Sequence, residues 1–196
     1  DFASLRLRES SARERDIVEG VHDAEPPRHY VERIARTKAT IGWQRMLQRG
    51  LPPRPVLGAD TEVVLNDTIF GKPQYAADAI RMLTLLSGRT HHVLTAVALT
   101  WEENTAAEIS TSAVTFRALA RDEIERYVAT GEPFDKAGAY AIQGRAATFV
   151  QRIDGSYSGI MGLPLYETAS VLAGVGFPEA LMVDLNTSHF NTQGLD

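Results

Sequence analysis

An α/β fold is what this sequence predicts, and three observations carry that prediction. Apolar residues recur at helical spacing from Tyr30 to Leu47 and again from Ala79 to Leu86. Around these runs lie strand-like stretches rich in β-branched residues, Pro55 to Phe70 and Thr90 to Phe116. Finally, 196 residues with 44% hydrophobic and 23% charged side chains suit one sizeable core. A single domain of two lobes is therefore expected over 1–177, followed by a tail at 178–196.

The elements follow in order. Asp1-Phe2-Ala3-Ser4-Leu5-Arg6-Leu7 alternates apolar and polar residues as a half-buried strand does, and the arginine-rich run to Arg15 reads as a solvated loop. It leads to Glu19, set between an apolar pair and a glycine. From Pro27 a helix carries Tyr30, Val31, Ile34, Ala35, Ile41, Trp43 and Met46 on one side, with Lys38 near that apolar face, and stops at Gly50 and Pro52-Pro53. Pro55 to Thr61 reads as a short buried strand ending in the Asp60-Thr61 pair, a position where α/β folds gather ligands. Val63-Val64-Leu65 and Thr68-Ile69-Phe70 flank Asn66-Asp67 as a hairpin does, and the return strand delivers Gly71-Lys72-Pro73.

A helix is expected over Ala76 to Ser87 with Gly88 as its C-cap, then a long strand from Thr90 to Trp101 and its antiparallel partner from Ala107 to Phe116. His91 and His92 are adjacent on that strand, so they point to opposite faces and read as structural, not as a metal pair. A short charged helix covers Arg121 to Val128. Thr148 to Ile153 reads as a strand, and Leu163 to Val175 as a helix with Pro164 in its first turn.

Between these last helices lies Phe134 to Pro164, where Asp135, Lys136, Gln143, Asp154 and Ser156 are spaced by glycines. Charged and amide side chains on a glycine-rich backbone suggest a loop-built pocket. The chain has 17 arginines but only three lysines, Lys38, Lys72 and Lys136. Keeping the compact ammonium at three places suits contacts to phosphate oxygens, and Lys72 and Lys136 both sit in turn contexts. No cysteine is present, which removes disulfides, zinc–thiolate sites and thiol nucleophiles. A net charge of −5 argues against broad nucleic-acid binding, and no apolar run reaches the roughly 20 residues of a membrane span. The compartment expected is the cytoplasm.

Several short motifs then arrive in one order: Arg33-Ile34-Ala35-Arg36-Thr37-Lys38-Ala39, Gly58-Ala59-Asp60-Thr61, Gly71-Lys72-Pro73, Asp135-Lys136-Ala137-Gly138-Ala139-Tyr140, Ile142-Gln143-Gly144, and Gly155-Ser156-Tyr157-Ser158 with Gly162-Leu163-Pro164-Leu165. From Asp16 to Gly176 the series resembles the Maf family of nucleoside triphosphate pyrophosphatases. The resemblance implies an elongated, mixed-sheet, ITPase-like α/β fold with flanking helices, and a homodimer. It further implies hydrolysis of a nucleoside triphosphate to monophosphate and pyrophosphate with a divalent metal, Mg²⁺ or Mn²⁺. The wording around Lys136 and Gln143 is similar to the branch acting on dTTP and UTP, a house-cleaning role that extends to modified pyrimidine nucleotides.

Carried over residue by residue, the resemblance makes Asp60 the proton acceptor, with Glu19 its partner as metal ligand or base. Lys38, Lys72 and Lys136 hold phosphates, Lys72 among the catalytic groups, while Thr61 and Gln143 set substrate choice. The family's opening Ser-x-Ser-Pro-Arg-Arg phosphate loop has no counterpart here, so about 20 residues are expected to be missing ahead of Asp1. Two rival readings accompany the enzyme: a nucleotide-binding regulator linked to septum formation and division arrest without turnover, and a 7-methyl-GTP pyrophosphatase.

Overall fold

The computed structural model describes residues 25–175. The strand expected at the N-terminus, Glu19 and the tail from 178 lie outside the described residues. Helix α1 (Pro27–Gln48) is the first element among the described residues, followed by β1 (Val56–Leu65), β2 (Thr68–Phe70), α2 (Ala76–Leu86), β3 (Thr90–Trp101), β4 (Asn104–Phe116) and α3 (Arg121–Ala129). Two 3₁₀ turns, Ala137–Ala139 and Arg145–Phe149, lead to β5 (Val150–Asp154), α4 (Tyr157–Ile160) and α5 (Leu165–Gly174). The strands form one sheet in the order β2-β1-β3-β4-β5, with every described pairing antiparallel.

Alternation along the strands divides the core between the two faces of this sheet. On one face α1 lays Val31, Ala35 and Ala39 against Val64, Leu94, Ala96 and Ala98. On the other, α2 and α3 bury Met82, Leu83, Leu86, Ile124 and Tyr127 with Val63, Val93, Val114 and Phe116. Farther along that second face, α5 covers Val97 and Leu99 with Val171. In the middle of β1, Ala59 packs against this last cluster, while Asp60 and Thr61 belong to none of the three.

Gly58 sets how close α1 lies. A Cβ there would stand 2.6 Å from both the Ala35 carbonyl oxygen and the Ala39 nitrogen, so helix backbone and strand backbone nearly touch. The hairpin turn follows its sequence, with Asn66 and Asp67 both at positive φ (49° and 61°) as a type I′ turn demands. Several boundaries differ from expectation, among them the start of β4, which pairs with β3 from Asn104 and not only from Ala107. The strand thought to end at Thr61 runs on to Leu65, because Glu62, Val63 and Val64 continue the same ladder against β3. β5 begins only at Val150, since Arg145–Phe149 closes into a 3₁₀ turn. The last described helix starts at Leu165 with Pro164 as its N-cap, and a separate turn, α4, precedes it, capped by the Ser156 hydroxyl accepting from Gly159 N–H at 3.0 Å.

Candidate active site

A cleft of about 640 Å³ runs along β1. Its position follows from the pairing: β3 holds one edge of Val56–Glu62, and among the described residues no strand takes the other. Side chains from both faces of β1 therefore reach the same space. Asp60 and Glu62 share the α1 side with Gly58 and Val64, whereas Thr61 points to the opposite side, yet all three line the cleft.

On the α1 side, Lys38 Nζ lies 2.7 Å from Asp60 Oδ1. The carboxylate is 9% exposed and the lysine 35%, so the ammonium still faces the cleft while it compensates the buried charge. Lys72 and Lys136 are exposed at the cleft wall on two loops that are tied to each other: the Gly138 N–H donates to the Gly71 carbonyl at 3.1 Å. Gly138 has φ of +67°, and a Cβ there would press to 2.8 Å from a Val63 methyl. Glycine at 138 thus lets the Lys136 loop rest on β1.

On the other side, Thr61 and Thr95 hydroxyls are 2.9 Å apart, and Thr95 donates to the Gly159 carbonyl at 2.7 Å. A hydroxyl has one proton, so Thr95 accepts from Thr61 and the remaining capacity of Thr61 is to accept. Gln143 is exposed at the cleft, following buried Tyr140 to Ile142. Behind it, the Tyr140 hydroxyl and His91 Nε2 are 2.9 Å apart, with the imidazole edge-on to Phe116. Burial, with a smaller contribution from His92, pushes His91 down to about 4, which keeps it neutral. His92 points outward, so the pair is structural.

The cleft gathers Lys38, Asp60, Thr61, Lys72, Lys136 and Gln143 from four separate stretches of chain, while Glu19 lies outside the described residues. Two residues of the glycine-rich stretch do not belong to it. Asp154 pairs with Ala113 in the sheet, and Ser156 caps α4. Asp135, marked with the glycine-rich stretch, lines the cleft as well, whereas Glu62 and Tyr30 also line it and were not singled out as site residues from sequence. Strand alternation from Asp60 was the available signal for Glu62. Three lysines face three carboxylates here, so added phosphate charge calls for a further cation.

The donor set suits a hard cation of the Mg²⁺ type. Asp60 and Glu62 offer two carboxylates on one side, and such ions are held by one or two carboxylates plus substrate phosphates. Among the described residues no group of three or more His, Cys, Asp or Glu side chains converges as a self-sufficient metal cage. No described helix is long and apolar enough to cross a membrane.

Residues 3–175 match the family model described as Maf-like protein. Among curated relatives, a protein named dTTP/UTP pyrophosphatase from Aromatoleum aromaticum is 57% identical over 163 residues, covering 83% of this chain and 79% of its own. One of the same name from Nitrosomonas europaea is 52% identical over 172 residues, covering 88% and 83%. A third, from Cupriavidus metallidurans, is 54% identical over 161 residues, covering 82% and 80%.

Proposed function

This chain belongs to the Maf family, and we propose that it hydrolyses dTTP and UTP to the nucleoside monophosphate and pyrophosphate. The observation that carries this reading is a single cleft uniting a largely buried, lysine-paired aspartate with two further lysines on mutually bonded loops.

In the reaction, water attacks the α-phosphorus, the Pα–O bond to the β-phosphate breaks, and pyrophosphate leaves. Asp60 takes the proton from the attacking water. Lys38, Lys72 and Lys136 hold the phosphate oxygens and balance the charge that builds on them, as fixed cations do best in a partly dehydrated cleft. Lys38 changes partners as substrate enters, turning from Asp60 toward phosphate and freeing the carboxylate for its role as base. Asp60 and Glu62, with Glu19, would hold Mg²⁺ or Mn²⁺, which when bound supplies charge neutralisation at the phosphates. Thr61, limited to accepting, and Gln143, which both donates and accepts, match the imide edge of uracil and thymine and mismatch the ring nitrogen of cytosine.

The same reading includes a homodimer in the cytoplasm that clears surplus or modified pyrimidine triphosphates. Pyrophosphate release from dTTP, UTP, CTP, GTP and 7-methyl-GTP with Mg²⁺ tests it. Turnover of dTTP and UTP that disappears in Asp60→Asn is the expected result. Preference for 7-methyl-GTP, or triphosphate binding with no release of pyrophosphate, would overturn it.

A further inference from the structure

Glu132 stands outside the cleft, one residue past Gly131, whose φ of +80° carries the chain out of α3. Its carboxylate turns back and accepts three hydrogen bonds. The Tyr127 hydroxyl donates to Oε1 at 3.0 Å, the Arg145 N–H to Oε2 at 3.1 Å, and the Ala146 N–H to Oε1 at 3.4 Å. The Tyr127 hydroxyl in turn accepts from the Ala141 N–H at 3.3 Å. One two-residue unit therefore pins the backbone at Ala141 and again at Arg145 and Ala146. Ile142 and Gln143, which line the cleft, lie between those pins.

The unit is itself rigid. Tyr127 is buried on α3, its ring edge-on to Phe149 at 5.1 Å between centroids, and burial raises its hydroxyl well above the usual phenol range so that it stays a donor. Gly144 is shaped to the carboxylate, since a Cβ there would fall 2.2 Å from Glu132 Oε1. A negative charge also faces the first amides of the Arg145–Phe149 turn, where such N–H groups lack partners within the turn.

We propose that Glu132 is a positioning residue for nucleobase selection, holding the Ala141–Ala146 segment so that the Gln143 amide meets the base at a fixed place. The inference rests on the pyrimidine triphosphate reading above. Binding geometry held to a fraction of an ångström is what separates recognition from mere proximity. Loss of the clasp leaves Lys38, Asp60, Lys72 and Lys136 on their own elements, so it affects the choice of base more than the handling of phosphate.

Steady-state rates on dTTP, UTP and CTP with Mg²⁺ test this for wild type, Glu132→Ala, Glu132→Gln and Tyr127→Phe. In Glu132→Ala the preference for dTTP over CTP is expected to shrink roughly tenfold, mostly through a raised KM for dTTP. Glu132→Gln, which keeps one acceptor oxygen and turns an NH₂ toward a backbone donor, should lie between. Gly144→Ala displaces the carboxylate and should mimic Glu132→Ala, but add little in the Glu132→Ala background. A purely structural role would lower all three substrates alike. A selective wild type whose base preference survives Glu132→Ala or Gly144→Ala overturns this inference alone. A wild type that turns over CTP as fast as dTTP overturns the substrate reading and this inference with it.

Discussion

Lys38 on α1 and Asp60 in the middle of β1 form a 2.7 Å ion pair although 22 residues separate them. Gly58, two residues before Asp60 on the same side of the strand, is what lets the helix come close enough for that reach. Gly58→Ala forces a methyl into the backbone of α1 and should destabilise the fold by about 1–3 kcal/mol, the range for overpacking a filled core. Because the strain also lifts Lys38 from Asp60, the KM for triphosphate should rise by more than the loss of stability explains. Urea unfolding and steady-state kinetics on the same variant check both effects.

The buried imidazole of His91 predicts a defined acid sensitivity. Its folded-state value of about 4 lies below the ordinary 6.5, so the unfolded chain binds more protons between those values. The stability is fully present above pH 6.5 and is lost as pH falls toward 4, at about 1.4 kcal/mol per unit. Between pH 7 and pH 5 this amounts to about 2 kcal/mol. His91→Phe keeps an aromatic ring beside Phe116 but loses the bond to Tyr140, so it should be less stable at pH 7 and lose less on acidification. Urea midpoints at the two pH values decide it; equal losses in both proteins would contradict the assignment.

Thr95 is 1% exposed and fixes which way the Thr61 hydroxyl points. Thr95→Val removes that acceptor and leaves Thr61 free to donate as well as accept. Discrimination against CTP should weaken, while Thr95→Ser should retain it. Loss of the bond to the Gly159 carbonyl adds a stability cost of about 1–2 kcal/mol, measurable separately by thermal unfolding.

A cleft with as many lysines as carboxylates needs an added cation to accept a triphosphate. Chelation with EDTA should therefore abolish pyrophosphate release, and Mg²⁺ or Mn²⁺ should restore it. Titration of Mn²⁺ followed by electron spin resonance should show weaker binding in Asp60→Asn and in Glu62→Gln. Unchanged turnover in EDTA would remove the metal from the proposal.

Much of this was legible before any coordinates. Helices at Tyr30 to Leu47 and Ala79 to Leu86 declare themselves by local spacing, and Asn66-Asp67 by its tolerance of positive φ. The opposite orientations of His91 and His92 follow from strand alternation alone. The motif residues at 38, 60, 61, 72, 136 and 143 could be named as candidates because their types and order are local properties. Asp154 and Ser156 shared the same glycine-rich context and went elsewhere, into a strand pairing and a helix cap. Composition does not distinguish a polar residue facing a ligand from one satisfying backbone.

By itself, then, the sequence determined the element types, the turn chemistry and the family, since these depend on residues within a few positions of one another or on their order. Only the tertiary structure decided that β1 keeps an edge unpaired by any described strand. That is why Asp60 and Thr61, pointing to opposite faces, line one cleft. It also decided that Glu132 reaches back to clasp the segment bearing Gln143. Both depend on pairings and packing between distant stretches, which local spacing does not encode.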